Sequence, residues 1–294
     1  MSSERITVGN VEVLSLSDTT NINDACSFFP ENARDEIESY GDYIDQDCKV
    51  KEPINVGSFL ISSAGRKILV DAGLGPDPVE IAGGAFGDLT GDMRRHGVEP
   101  EEIDTVVITH MHFDHIGWLA VSRDGKVSPT FPNAKYIMPK ADYELLLHPE
   151  QAVFPPPPNH FSPAAVEIYA GGAYMGRNIS QIQNLELVTG EVNVSDEVKT
   201  MPTPGHTPGH QSLLISSGGE RAFVLGDVAH IPLQVHVPEW IVVADVQPEL
   251  GSKTRKEILE WLETEGLIVA AGHFPSPGFG RVVKGERRRY WQPL

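Results

Sequence analysis

The sequence predicts an α/β fold, with all 294 residues in a single domain. Three observations predict it. From Asn55 onward, short apolar runs alternate with stretches of helical period, the mark of strands and helices taken in turn. A β-branched run, Val106-Val107-Ile108, leads directly into a cluster of histidines. Toward the carboxy terminus, Ile258, Leu259, Trp261 and Leu262 recur at helical spacing within residues 254–265.

In order, residues 6–8 and 11–16 read as opening strands, followed by a polar, acidic insertion over 18–51 that contains Phe28 and Phe29. That insertion is expected to act as a lid or a dimer arm. Strands are predicted over 56–62 and 67–71 around a turn at Ala64-Gly65, then a Gly-rich loop and a helix near 87–96. A strand over 104–109 follows, then a strand over 135–138 and a helix over 142–148. Further strands fit 186–188, 212–216, 222–225 and 267–271, the last ending at Gly272-His273. The one low-complexity stretch, Phe154-Pro155-Pro156-Pro157-Pro158, is stiff and extended and is expected to border a pocket. The sequence shows no internal repeat.

Composition narrows the function. With 23 basic and 41 acidic residues the formal charge is −18, which argues against a phosphate backbone as partner. No basic segment with an apolar core opens the chain, and no run approaches the roughly 18 apolar residues of a membrane span. The expectation is a cytoplasmic protein that binds neither nucleic acid nor membrane. Cys26 and Cys48 make no disulfide framework in a chain of this size and are expected to be reduced. The run Arg287-Arg288-Arg289 reads as a solvated tail or a contact to an acidic partner subunit.

The chemistry concentrates at His110, His112, Asp114 and His115, four ligand-type residues within six positions. In an extended segment alternate side chains share a face, so His110, His112 and Asp114 are expected to leave the strand end together, with His115 displaced by the following turn. Imidazoles and a carboxylate suit zinc, iron, manganese or cobalt, and this set exceeds what one open catalytic zinc site takes. Two metals become plausible. His206, in Thr203-Pro204-Gly205-His206-Thr207-Pro208-Gly209-His210, Asp227, in Leu225-Gly226-Asp227, and His273 each stand at a predicted strand end or in a Gly/Pro-rich turn. Each alone is weak.

Together these residues resemble the metallo-β-lactamase superfamily, whose His-x-His-x-Asp-His pattern followed by distant His, Asp and His is complete here and in order. The resemblance covers about residues 55–280. It implies a four-layer αβ/βα sandwich with the ligands on loops at one edge of two sheets. It further implies that His110, His112 and His206 bind one metal, that Asp114, His115 and His273 bind the other, and that Asp227 bridges them. Val70-Asp71-Ala72-Gly73 is similar to the superfamily's early Asp-x-Gly turn, where Asp71 would orient the ligands. Two such ions, zinc as the first expectation, would hold a bridging hydroxide and polarise a carbonyl or phosphoryl oxygen. Asp114, Asp227 and the ions would then do the chemistry without a Ser or Cys nucleophile, and no Gly-x-Ser-x-Gly elbow occurs.

Within the superfamily the chain looks most like the branch of quorum-quenching lactonases and methyl-parathion-type hydrolases, and His273-Phe274-Pro275-Ser276-Pro277-Gly278 leans toward the latter. The better-known lactonases carry a tyrosine shortly after the bridging aspartate. Here Asp227-Val228-Ala229-His230 stands instead, and His230 is read either as a donor of a hydrogen bond or proton or as a polar pocket wall. Phe28, Phe29, Trp118, Phe154, Phe161 and Trp240 are candidate walls for an acyl chain or aryl group, with burial in the core as the alternative for each. His210 reads as structural or as a support for the ligands. The expected substrates are small lactones, carboxylic esters or organophosphate triesters, and the insertion points to a homodimer. A glyoxalase-II-like thioesterase and a mononuclear iron enzyme like the persulfide dioxygenases are the competing readings. The first would bring a helical domain where about twenty residues follow His273.

Overall fold

Side chains that alternate in and out along the strands build four layers. In the computed structural model, residues 3–21, 25–29, 36–79, 82–148 and 179–294 are described. The first sheet contains β1 (Arg5–Val8), β2 (Val11–Asn21), β3 (Ile54–Ser63), β4 (Arg66–Val70) and β5 (Thr105–Val107). Past a small hairpin, β6 (Ala120–Arg123) and β7 (Lys126–Pro129), the same sheet adds β8 (Lys135–Pro139) and β9 (Leu185–Val188). Its order is β1-β2-β3-β4-β5-β8-β9, antiparallel as far as β4 and parallel beyond.

The second sheet runs in chain order from β10 (Val198–Pro202) through β11 (Gln211–Ser217), β12 (Glu220–Val224), β13 (Ile268–Ala270) and β14 (Phe279–Lys284) to β15 (Arg289–Pro293). Only β12 and β13 pair in parallel. The α-helices among the described residues are α1 (Ala25–Phe28), α2 (Leu89–Arg95), α3 (Phe113–Ile116), α4 (Lys140–Leu147), α5 (Leu233–His236) and α6 (Pro248–Glu265).

Val11, Val13, Phe59, Ile61, Ile68, Val70, Val107 and Ile137 of the first sheet meet Leu213, Ile215, Ala222, Val224 and Ala270 of the second in the central core. Their sequence neighbours point outward: Leu14, Leu60, Leu69, Val106, Tyr136 and Met138 pack on Leu89 and Met93 of α2 and Leu146 of α4. On the other outer face Phe223, Leu225 and Val269 pack on Leu259 and Leu262 of α6. Period two in the strands thus separates three apolar layers, and the result is the expected αβ/βα sandwich. Among the described residues no helix is long and apolar enough to cross a membrane.

The structure corrects the sequence reading at four places. Strand β2 does not stop at Leu16 but runs on to Asn21, so Asp18 belongs to the core rather than to an insertion. Its buried carboxylate accepts from the backbone N–H of Leu74 (2.6 Å) and Leu89 (2.7 Å) and from Trp118 Nε1 (2.8 Å), which ties β2 to two loops that flank the site. A charged acceptor with several donors is tolerated inside a core. Trp118 is correspondingly enclosed in the outer core and is no pocket wall.

The second correction is the disulfide between Cys26 and Cys48, where reduced thiols were expected. Ala25 N donates to Cys48 O (2.7 Å) and Ile44 bridges Val50, so the described part of the segment folds back on itself. Third, Phe29 and Trp240 are buried in a satellite core with Tyr40, Ile44, Leu233 and Val237, which removes both as pocket walls. Fourth, Arg289 lies in β15, the edge strand of the second sheet, and pairs with Glu263 of α6 (2.6 Å), so of the basic run only Arg287 and Arg288 stay exposed, in the bend before that strand. Phe154, Phe161 and the proline stretch lie outside the described residues.

Closing a loop 22 residues apart stabilises mainly by restricting the unfolded chain. Cys26→Ser is therefore expected to destabilise the protein by about 3 kcal/mol in non-reducing urea titrations. A variant as stable as wild type would show that the bond does not constrain the segment.

Candidate metal centre

Most of the candidate ligands stand just beyond a strand's carboxyl end, all on one edge of the sandwich. Asp71 follows β4, His110 and His112 follow β5, Asp227 follows β12 and His273 follows β13; His206 lies in the turn between β10 and β11. The sheets are sewn together here: Gln211 N donates to Thr109 O (2.9 Å), Gln211 Nε2 to Ile108 O (2.9 Å) and Gly57 N to Gly272 O (3.1 Å). A site on rigid strand ends is held more tightly than one on free loops.

All seven expected ligands meet. Asp227 Oδ2 lies 3.3 Å from His206 Nε2, 3.2 Å from His273 Nε2 and 3.6 Å from His110 Nε2, while Oδ1 lies 3.4 Å from His115 Nε2. Asp114 Oδ2 is 3.5 Å from His273 Nε2, and His206 Nε2 is 2.9 Å from His112 Nδ1. Three triplets, His110/His112/His206, His110/His115/Asp227 and Asp114/His115/His273, each bring their ligand atoms within 4.8 Å of one another. One local expectation changes: the extended segment ends at His112, and Asp114 sits with His115 in the single turn of α3. His230 joins the cluster, with its Nε2 3.2 Å from Asp227 Oδ2.

Outer partners decide which imidazole nitrogen faces inward. His115 Nδ1 donates to Asp71 Oδ2 (2.9 Å), His206 Nδ1 to Asp245 Oδ1 (2.8 Å) and His273 Nδ1 to the carbonyl of Asn55 (2.7 Å). With the outer nitrogen so held, Nε2 is the nitrogen that each ring turns to the centre. Asp71 also accepts from Thr109 N (2.7 Å) and Thr109 Oγ1 (2.8 Å), which holds its left-handed backbone (φ 62°) in place.

His210 lies behind Asp227 and is bonded on both sides. Its Nδ1 lies 3.0 Å from the carbonyl of Thr203, to which it donates, and its Nε2 accepts from Asp227 N (2.9 Å). Glycine is required just before Asp227, because Gly226 has φ +58° and a Cβ there would come within 2.6 Å of His210 Nε2.

Two supports escaped the sequence reading. Asp245 is buried between His206 and Arg255, whose Nη2 lies 3.2 Å from Oδ2. Burial alone would raise its carboxyl, but the hydrogen bond to His206 and the Arg255 charge hold it below its ordinary value. Asp142 of α4 accepts from Thr207 Oγ1 (2.6 Å), Gly209 N (2.6 Å) and Met111 N (3.2 Å), joining the first ligand loop to the second. Burial pushes it up to about 6. Neither aspartate sits in a motif, so only their long-range contacts reveal them.

The electrostatics call for cations. Burial, then neighbouring imidazoles, lower His110 and His112 well below the ordinary histidine range. Against the same burial, Asp227 and Asp114 raise His115 well above it and His273 to about 9. Asp227, despite burial, is held well below the carboxylate range by His273, His115 and His110. His110 Nε2, Asp227 Oδ1 and His230 Nε2 are buried with no hydrogen-bond partner among the described residues. Orphaned, converging nitrogen and oxygen donors of this kind fit divalent metal ions.

The sequence profile of the metallo-beta-lactamase superfamily matches residues 53–273, and the chain belongs to that superfamily as a metal-dependent hydrolase. Among curated relatives, the N-acyl homoserine lactonase AiiA of Bacillus thuringiensis subsp. kurstaki is 26% identical over 233 residues, covering 74% of this chain and 80% of its own. The N-acyl homoserine lactonase AttM of Rhizobium radiobacter is 26% identical over 247 residues, covering 76% and 82%. Among solved structures, AidC, a dizinc quorum-quenching lactonase, superposes with a TM-score of 0.83 at 23% identity, covering 99% of this chain and 96% of its own. The hydrolase AbOPH superposes at 0.80 with 25% identity, covering 100% and 97%.

Asp245→Ala removes the acceptor that orients His206, so metal affinity is expected to fall by about 10- to 100-fold in competition with a chromophoric chelator. Unchanged affinity would show that Asp245 does not support the site. The metal-free protein should also respond to pH in two directions. His110 and His112 stay neutral when folded but take up protons when unfolded, so stability rises as pH climbs through about 6.5. His273 and His115 hold protons more tightly when folded, so their contribution is full below about 6.5 and is lost as pH rises through the His273 value of about 9. Thermal unfolding in chelator should therefore peak near pH 6.5 and decline toward pH 9, and a flat profile would contradict these assignments.

Proposed function

We propose that this chain is a dinuclear metal-dependent lactonase acting on small lactones of the acyl-homoserine type. The observation that carries the reading is the inward convergence of the histidine nitrogens on Asp227, with their outer nitrogens pinned by Asp71, Asp245 and the Asn55 carbonyl. In this reading His110, His112 and His206 hold one ion, Asp114, His115 and His273 hold the other, and Asp227 serves both. Two divalent ions, zinc as the first choice, supply a water nucleophile at neutral pH and a Lewis acid for the carbonyl oxygen.

The chain's own residues set the geometry of that pair. His210 fixes the Asp227 backbone, Asp142 holds the two ligand loops at a constant distance, and Asp71 locks His115. Phe28 is the one candidate wall that the described residues place beside the ligands, half-buried with its ring 5.5 Å from that of His230. An apolar face there suits the acyl part of a substrate. The names of AiiA, AttM and AidC support a lactone in preference to an ester or phosphotriester, because all three are described as lactonases.

The test is a panel on zinc- and manganese-loaded protein, comparing lactones of different acyl length, aryl esters, phosphotriesters and a thioester by kcat/KM. Lactones should rank first, and Asp227→Ala should lose activity by more than the roughly 100-fold that an outer hydrogen-bond partner costs. A phosphotriester or thioester ranking first would replace the substrate assignment. One tightly bound iron per chain, in place of two divalent ions, would replace the hydrolytic reading.

A further inference from the structure

Gln234 decides which nitrogen of His230 carries the proton. His230 N donates to Gln234 Oε1 at 2.7 Å, and the same oxygen lies 3.3 Å from His230 Nδ1. On its other side Gln234 Nε2 donates to the carbonyl of Trp240 at 3.0 Å. Turning the amide over would set its NH2 against a backbone N–H and its oxygen against a carbonyl. Its orientation is therefore fixed from both sides. Arg255 Nη1 also donates to that carbonyl (2.7 Å), so the chain of contacts is anchored in α6. With the His230 proton on Nδ1, where Gln234 Oε1 accepts it, Nε2 carries a lone pair.

That lone pair points into the cluster. Nε2 is buried without a hydrogen-bond partner among the described residues and faces Asp227 Oδ2 at 3.2 Å. Two electron pairs opposed at this distance repel unless a positive charge lies beside them. His206 Nε2 is 3.3 Å from the same oxygen, and the donor atoms of His206, Asp227 and His230 lie within 4.8 Å of one another.

We propose that His230 is a further metal ligand, binding through Nε2 the ion that His206 and Asp227 also hold, with Gln234 as the residue that positions it. The inference rests on the two-metal reading of the site. It departs from both roles the sequence left open, donor and pocket wall, because an imidazole whose inward nitrogen has no proton accepts or coordinates and does not donate to a substrate. The ion held by His206 gains a neutral nitrogen donor that the seven-residue superfamily pattern does not contain.

The decisive experiment is NMR on histidine-15N-labelled protein loaded with 113Cd. A one-bond 113Cd–15N coupling is expected at Nε2 of His230, assigned by its loss in His230→Phe or, should that variant not fold, by correlation to the His230 backbone in wild type. Coupling at His206 without coupling at His230 overturns the proposal and leaves the two-metal reading intact. No coupling at any histidine overturns both. As an independent readout, His230→Phe should weaken one of the two bound ions by at least about 10-fold, the scale on which even outer partners act. Unchanged affinity for both ions counts against coordination.

Discussion

The Asp227 carboxylate sits buried among five imidazoles, and the rest of the site is arranged to make that position tolerable. Burying a carboxylate is costly unless charge or hydrogen bonds compensate it. Here Oδ2 faces His110, His206, His230 and His273, and Oδ1 faces His115. Those nitrogens can serve only if their rings are turned correctly, so each ring is pinned on its outer side. Asp71, Asp245, the carbonyl of Asn55 and Gln234 do this for His115, His206, His273 and His230. The demand of one carboxylate thus propagates outward to residues in β3, α5 and the loop before α6.

The sandwich explains how so many chain segments reach one point. Strands β4, β5, β12 and β13 end at the same edge, and β5 lies against β11 through Gln211, whose backbone and side chain both bond to the segment carrying His110. Asp142 adds a second cross-link between the loops of His110–His115 and His206. Because the apolar layers behind these ends are closely packed, the loops have little freedom to separate. The fold itself supplies the preorganisation that metal chemistry needs.

Around this frame residues 25–29 and 36–50 add a different kind of contact. Their disulfide and their satellite core with Trp240 hold Phe29 away from the ligands and Phe28 beside them. Trp240 connects this segment to the centre, since its carbonyl receives both Gln234 and Arg255. The placement of Phe28 and the orientation of His230 therefore share one structural element. A change at Trp240 reaches both.

The sequence by itself determined the layer architecture and singled out the candidate ligands that the fold brings together. Period-two apolar strands and short spacing, as in His110-x-His112-x-Asp114-His115, are local patterns that the backbone converts directly into faces and neighbours. It also showed that His206, Asp227 and His273 follow strands or tight turns. Only the tertiary structure decided what depends on distant partners. Asp18 looked like the start of a polar loop because its donors, Leu74, Leu89 and Trp118, lie far along the chain. Asp142 and Asp245 carried no motif, Cys26 and Cys48 no framework, and Phe29, Trp118 and Trp240 no mark separating core from pocket. The tautomer of His230 was equally invisible, since it is set by Gln234 and the Trp240 carbonyl together. A sequence records which side chains can bind a metal; the direction in which each nitrogen's lone pair points is fixed by hydrogen bonds that exist only after folding.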